Sequence, residues 1–206
     1  MAKFRRTSKR DNRPESPVLL FRDLKRDPNV KFLWGHQEKL LDEYSSSHLT
    51  SPDLAIELPT GAGKTLVGLL IAEFCRRVNQ ETAAYLCPTR QLAAQVKAQA
   101  DRYGISASLL VGRQTEYDET EFFRYQHSDS IAITTYNGVF NNNPRIDNPS
   151  LIVCDDAHAA ADNVASMWVV QISFSKYPEA FFALANVLHN VLPGTMADTI
   201  QSTIEG

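Results

Sequence analysis

Long hydrophobic runs are missing from this sequence: no stretch approaches the roughly 18 consecutive apolar residues that a membrane span requires. The first residues include Lys3, Arg5 and Arg6 rather than an apolar segment, so no secretory signal is visible either. The expectation is a soluble, cytoplasmic chain with no membrane partner. Cysteine is scarce. Cys75, Cys87 and Cys154 are an odd number, each alone in an apolar segment, which excludes a disulfide framework and a thiolate metal site and predicts reduced core thiols. Charge of one sign is also lacking: 21 Lys and Arg against 24 Asp and Glu give a formal net charge of -3. Any contact with a polyanion must therefore come from a local basic surface. There is no internal repeat, and no biased tract beyond the first residues.

With 206 residues, 43% of them hydrophobic, the chain can bury one substantial core, and two independent lobes would be a tight fit. Residues 1–17 carry Lys3, Arg5, Arg6, Lys9, Arg10 and Arg13 with almost no apolar periodicity. That is the composition of a flexible basic leader, which either touches phosphates or is simply solvated. From Val18 apolar positions recur among charges, and Leu40, Leu41 and Tyr44 close a predicted helix before Ser45, Ser46 and Ser47. Short apolar runs then alternate with helix-period segments. Strands are predicted at 54–58, 83–87, 108–111, 131–134 and 151–154, and helices at 65–78 and 91–103. This alternation is the pattern of βαβ units around a mainly parallel sheet. Residues 161–206 are read as a helical extension, with Ala180, Phe181, Leu184, Val187, Leu188 and Val191 on a buried face that ends at Pro193-Gly194; a partner-binding helix is the alternative.

The strongest local signal is Leu58-Pro59-Thr60-Gly61-Ala62-Gly63-Lys64-Thr65, where a predicted strand gives way to a helix. Glycines let successive backbone N–H groups point at phosphate oxygens, Lys64 can reach the β- and γ-phosphates, and the Thr65 hydroxyl can ligate Mg²⁺. The strict phosphate-loop pattern would have glycine at position 58, where this chain has leucine. The second signal is Leu151-Ile152-Val153-Cys154-Asp155-Asp156-Ala157-His158, two carboxylates directly after a four-residue apolar run. Strand carboxyl ends face the ligand crevice of a parallel sheet, so the pair can meet the phosphate loop despite its distance in sequence. Asp155 would then hold Mg²⁺, Asp156 would orient or deprotonate the attacking water, and His158 could relay the state of the γ-phosphate. Alone, such a pair is as often a solvated turn or a helix start.

These segments resemble superfamily 2 helicases of the DEAD/DEAH-box kind, over roughly residues 30–160. Leu58 to Thr65 looks like motif I, Pro88-Thr89-Arg90-Gln91-Leu92-Ala93-Ala94-Gln95 is similar to motif Ia, and Asp155 to His158 looks like motif II. Thr134-Thr135-Tyr136 resembles the threonine motif that contacts a nucleic-acid backbone, Gly112-Arg113 weakly resembles the glycine motif before it, and Trp34-Gly35-His36-Gln37 resembles the segment whose glutamine reads adenine. The resemblance implies a three-layer α/β RecA-like P-loop NTPase lobe over residues 18–160, with ATP and Mg²⁺ as ligands and DNA or RNA as partner. It implies ATP contacts from Gln37, Trp34, Thr60, Gly61, Ala62, Gly63, Lys64 and Thr65, a metal held by Thr65 and Asp155, and chemistry carried by Lys64 and Asp156. Trp34 or Phe32 either packs against the base or belongs to the core. Thr89, Arg90, Gln91, Gly112, Arg113, Thr134 and Thr135 would touch the nucleic-acid backbone, although a strand hydroxyl such as that of Thr134 can equally satisfy neighbouring backbone groups.

Two departures qualify what is carried over. Motif II reads Asp-Asp-Ala-His where the family usually has glutamate second, and the shorter Asp156 holds a water farther from the γ-phosphate. After His158 no Ser-Ala-Thr motif and no second lobe with arginine fingers is found, so the chain is expected to be the first lobe of a longer, truncated motor, binding nucleotide better than it hydrolyses it. The competing expectations are a nucleotide-binding or protein-interaction module without turnover, and a P-loop kinase, which leaves 88–95 and 155–158 unexplained.

Overall fold

The computed structural model describes residues 13–30, 32–167, 169, 172–189 and 194. Most of the basic leader, together with Val191 and Pro193, lies outside them. The chain forms two compact units, Met1–Met167 and Trp168–Gly206. Among the described residues no helix is long and apolar enough to cross a membrane.

In the first unit, four parallel strands form one sheet: β1 (Ala83–Cys87), β2 (Ala107–Leu109), β3 (Ile131–Thr135) and β4 (Leu151–Cys154), in the order β2-β3-β1-β4. The central strand β1 is buried along its whole length, as a continuous apolar run in a two-sided parallel sheet must be. Its residues alternate between two cores. Ala83, Tyr85 and Cys87 join the cluster built from α1 (Pro17–Asp23), α2 (Gly35–Glu43), α3 (Lys64–Asn79) and α4 (Arg90–Arg102). Ala84 and Leu86 join the opposite cluster, with Phe122 and Tyr125 of α5 (Glu119–Gln126), Tyr136 of α6 (Tyr136–Val139) and, at its margin, Ala160 and Val164 of α7 (Ala157–Met167). Helices on both faces make this the expected three-layer α/β architecture.

Local chemistry sets the helix ends. Ser16 caps α1 with Pro17 in the first turn, Thr89 caps α4 through the Leu92 N–H, and Asp118 caps α5 through Thr120 and Glu121. Helix α3 starts after Gly63 at φ 80° and ends at Gln80 at φ 57°, both left-handed. Its only fully buried carboxylate, Glu73, takes paired bonds from Arg76 (2.8 and 2.9 Å) and one from Arg77 (2.7 Å), while Arg76 also donates to the Ser128 carbonyl.

Several expectations need correction. Residues 54–58 are not a strand: they run outside the sheet with Leu54 and Ile56 exposed. A strand needs a neighbour as well as apolar residues, and β4 has a partner on one side only among the described residues. That open edge also leaves Cys154 exposed rather than packed, whereas Cys87 is buried and Cys75 half-buried; all three thiols are free. Helix α1 begins at Pro17, one residue before the predicted Val18. In the second unit α8 (Pro178–His189) forms, but the predicted buried face is not there: Leu184 and Val187 are exposed and Ala185 is buried. Phe174, Phe181 and Phe182 pack edge to face with one another instead.

Candidate nucleotide site

The parallel register brings the carboxyl ends of all four strands to one edge of the sheet, followed in turn by Thr89-Arg90, Gly112-Arg113, Thr135 and Asp155-Asp156. The glycine loop meets this edge through α3, which packs on β1 and β4. Gly61 and Gly63 both take left-handed φ values, 83° and 80°, which a side chain would strain. The Gly63, Lys64 and Thr65 N–H groups lie ahead of the first intrahelical bond of α3, so they are donors with no partner inside that helix. Lys64, Thr60 and Gly61 are exposed, Ala62 and Thr65 half-buried.

Helix α2 holds the loop from behind. Gln37, 3% exposed, donates from Nε2 to the Ala62 carbonyl (2.9 Å) and accepts the Trp34 N–H on Oε1 (3.0 Å). His36 Nε2 lies 3.0 Å from the same carbonyl. A Cβ on Gly63 would meet the Gln37 side-chain amide, so a larger residue there would displace the Gln37 contact as well as strain φ. The structure thus places Gln37 against the phosphate loop, with Trp34 and Phe32 exposed beside it and the Trp34 and His36 rings 5.5 Å apart.

The loop and the acidic pair meet at a residue the sequence reading passed over. Tyr85, 1% exposed on β1, donates its hydroxyl to Asp155 Oδ1 at 2.5 Å, and its ring packs against α3 at Gly68. Burial, then the charge of Asp155, pushes the Tyr85 phenol far above the usual tyrosine range, so it stays a donor. The signal was available: a phenol in an otherwise apolar, buried strand, Ala-Ala-Tyr-Leu-Cys, needs a polar partner. From the other face Tyr136 donates to the Asp156 carbonyl at 2.9 Å, and burial lifts its pKa to about 12. Two tyrosines, one from each core, bracket the Asp155-Asp156 turn.

Other expected residues are placed differently. The Asp156 side chain is the cap of α7, accepting the His158 and Ala159 N–H groups at 3.0 and 3.2 Å, and the His158 side chain is fully solvated. Thr134 is not presented to a ligand: it is fully buried and its hydroxyl donates to the Leu110 carbonyl at 2.5 Å. Thr89, Arg90, Gln91 and Arg113 are exposed, and Thr135 is half-buried. A Cβ on Gly112, whose φ is 97°, would lie 3.9 Å from Arg90 Nη1. Among the described residues no group of three or more His, Cys, Asp or Glu side chains could hold a metal alone. The Thr65 hydroxyl and one half-buried carboxylate nevertheless suit Mg²⁺, which takes one or two protein oxygens and completes its shell with phosphates and water.

No curated protein and no solved structure matches the chain at a significant level. A family model does, over residues 35–180, from the first residue of α2 into α8, and its description is DEAD/DEAH box helicase. With the glycine loop, the motif Ia turn and the Asp-Asp turn all inside the matched segment and gathered by one parallel sheet, the chain belongs to the DEAD/DEAH box helicase family.

Proposed function

We propose that this chain is the ATP-binding lobe of a nucleic-acid-dependent ATPase, which hydrolyses ATP to translocate on or unwind DNA or RNA when joined to a second RecA-like lobe in cis or in trans. Residues 18–160 carry the lobe, with 1–17 a basic leader and 161–206 a helical extension. The observation that carries this reading is the buried Tyr85, which hydrogen-bonds Asp155 at the acidic strand end while its ring packs against α3, the helix that the phosphate loop opens.

The free N–H groups at the start of α3 and the Lys64 ammonium bind the phosphates of ATP. Thr65 and Asp155 hold Mg²⁺, which when bound neutralises charge on the phosphoryl group being transferred. Asp156 orients the attacking water through Oδ2, because Oδ1 accepts the two cap bonds of α7. Exposed Trp34 offers a face to the base, and Gln37, bonded to both the Trp34 N–H and the Ala62 carbonyl, links that end to the phosphate loop. His158, in solvent, relays the nucleotide state to whatever docks on this edge. Thr89, Arg90, Gln91, Gly112, Arg113 and Thr135 position a nucleic-acid backbone, and Thr134 braces that surface from beneath.

A second reading, a nucleotide-binding module without turnover, draws support from one observation: the Asp156 carboxylate is engaged as a helix cap. ATP hydrolysis measured with and without single-stranded RNA and DNA separates the two. Stimulated turnover supports the motor, nucleotide binding with flat, negligible turnover supports the module, and phosphorylation of an added acceptor would overturn both in favour of a kinase.

A further inference from the structure

The metal end of the proposed site raises a question of proton placement. A hydroxyl that gives a lone pair to a cation must send its proton elsewhere, and a carboxylate that offers one oxygen is held in place by whatever binds the other. The second need is met by one buried group. The Tyr85 hydroxyl donates to Asp155 Oδ1 at 2.5 Å, which holds one oxygen of that carboxylate and leaves the other open.

The surroundings are built to let Tyr85 do this. Its ring lies in the core among α3 and β1 residues at 1% exposure, and its hydroxyl passes across α3 at Gly68. A Cβ on Gly68 would stand 3.0 Å from Tyr85 Cε2, 3.2 Å from Val153 Cγ1 and 3.6 Å from the Tyr85 oxygen. Glycine one turn after Lys64 therefore opens the passage through which the phenol reaches the strand end.

We infer that Tyr85 is a positioning residue for the metal-bound nucleotide: its hydroxyl proton fixes Asp155 Oδ1, leaving Asp155 Oδ2 for Mg²⁺. This rests on the nucleotide site assigned under the proposed function. Tyr85 touches neither phosphate nor metal and acts through Asp155.

The test compares the full chain with Tyr85→Phe, which keeps the ring and removes the bond. A fluorescent ADP is titrated in EDTA and in Mg²⁺, and Mn²⁺ uptake by the ADP complex is followed by electron paramagnetic resonance. Affinity in EDTA is expected to stay within about twofold while Mn²⁺ affinity falls about 10–100-fold, the range for losing a partner of a metal ligand. A purely structural role would weaken both together or neither, and either result overturns the inference. Should the variant fail to fold, the wild-type Tyr85 hydroxyl proton is observed by nuclear magnetic resonance: it is expected to shift with Mg²⁺-ADP and not with ADP in EDTA, and an equal response overturns the inference. A wild type that binds neither form of ADP sinks the nucleotide site itself, whereas a wild type that binds Mg²⁺-ADP beside an unaffected variant sinks the role of Tyr85 alone.

Discussion

Substituting Asp156 by asparagine and by alanine separates the two duties assigned to its carboxylate. Its Oδ1 accepts the His158 and Ala159 N–H groups at 3.0 and 3.2 Å, so it caps α7. Removing such a cap costs about 1 kcal/mol, and asparagine, an equally good cap, retains that contribution. Asparagine loses only the attraction between the charge and the helix start, about 0.3–1 kcal/mol. In a chain of this size each kcal/mol moves the unfolding midpoint by about 2–4 °C. Asp156→Ala should therefore lower the midpoint by about 3–8 °C and Asp156→Asn by about 1–4 °C. Turnover should behave differently, because both variants lack the base and both should lose about 10²–10⁴-fold in ATP hydrolysis while still binding ATP. The assay pairs nucleic-acid-stimulated phosphate release with a nucleotide titration and a thermal melt on the same samples. Wild-type turnover in the asparagine variant would remove Asp156 from the chemistry, and an asparagine variant as unstable as the alanine one would show that the cap is not what the carboxylate contributes.

Lys64→Ala should weaken ATP affinity with the unfolding midpoint unchanged, since the side chain is exposed and its cation is assigned to the phosphates; equal affinities in a calorimetric titration would contradict that assignment. Glu73→Ala leaves the buried Arg76 guanidinium without its carboxylate and should cost about 3–5 kcal/mol in urea unfolding, and a loss near zero would mean that Arg76 finds another partner. Alkaline pH should destabilise the chain: burial raises Cys87 from 9.0 to about 12 and Tyr136 from 10.0 to about 12, so the folded state holds these protons more tightly than the unfolded one. That stability is complete below pH 9 and is lost as pH climbs from 9 to 12, read as tyrosinate absorbance rising together with unfolding; tyrosines titrating normally in a still-folded chain would refute it.

How much of this could be read from the sequence depended on whether the governing interaction was local. Strands β1 and β4 were legible to the residue, because each is a short apolar run stopped by Pro88 or Asp155, and α3 and α4 were placed within one residue by their periodicity. Helix α5 was passed over: two turns carrying Phe122, Phe123 and Tyr125 among Glu, Thr and Arg are too short for a clear stripe. Residues 54–58 have the composition of a strand, but composition carries no information about a neighbouring strand. The glycine loop and the Asp-Asp turn were legible as motifs, whereas the Gln37 contact joins residues 25 apart and the Tyr85 contact residues 70 apart, so neither can be read from spacing. Thr134 has the residue type of a ligand contact, but it is buried because β3 lies between β2 and β1 with both faces covered, a position in the sheet that the threonine itself does not reveal.

The site and the core are consequently one object. Gln37, Tyr85 and Tyr136 are each buried, and each donates a hydrogen bond to a residue of a nucleotide motif: the Ala62 carbonyl, Asp155 and the Asp156 carbonyl. A buried polar group left without its partner is costly, so these three bonds tie the loop and the turn to the packing of α2, β1 and α6. Motif residues set by core tyrosines and a core glutamine are held on rigid elements rather than on free loops, which is the condition for aligning phosphate and water without reorganisation. The same argument locates where mobility is to be sought. Lys64 and His158, both exposed, lack that anchoring and are free to answer a bound nucleotide or a docking lobe.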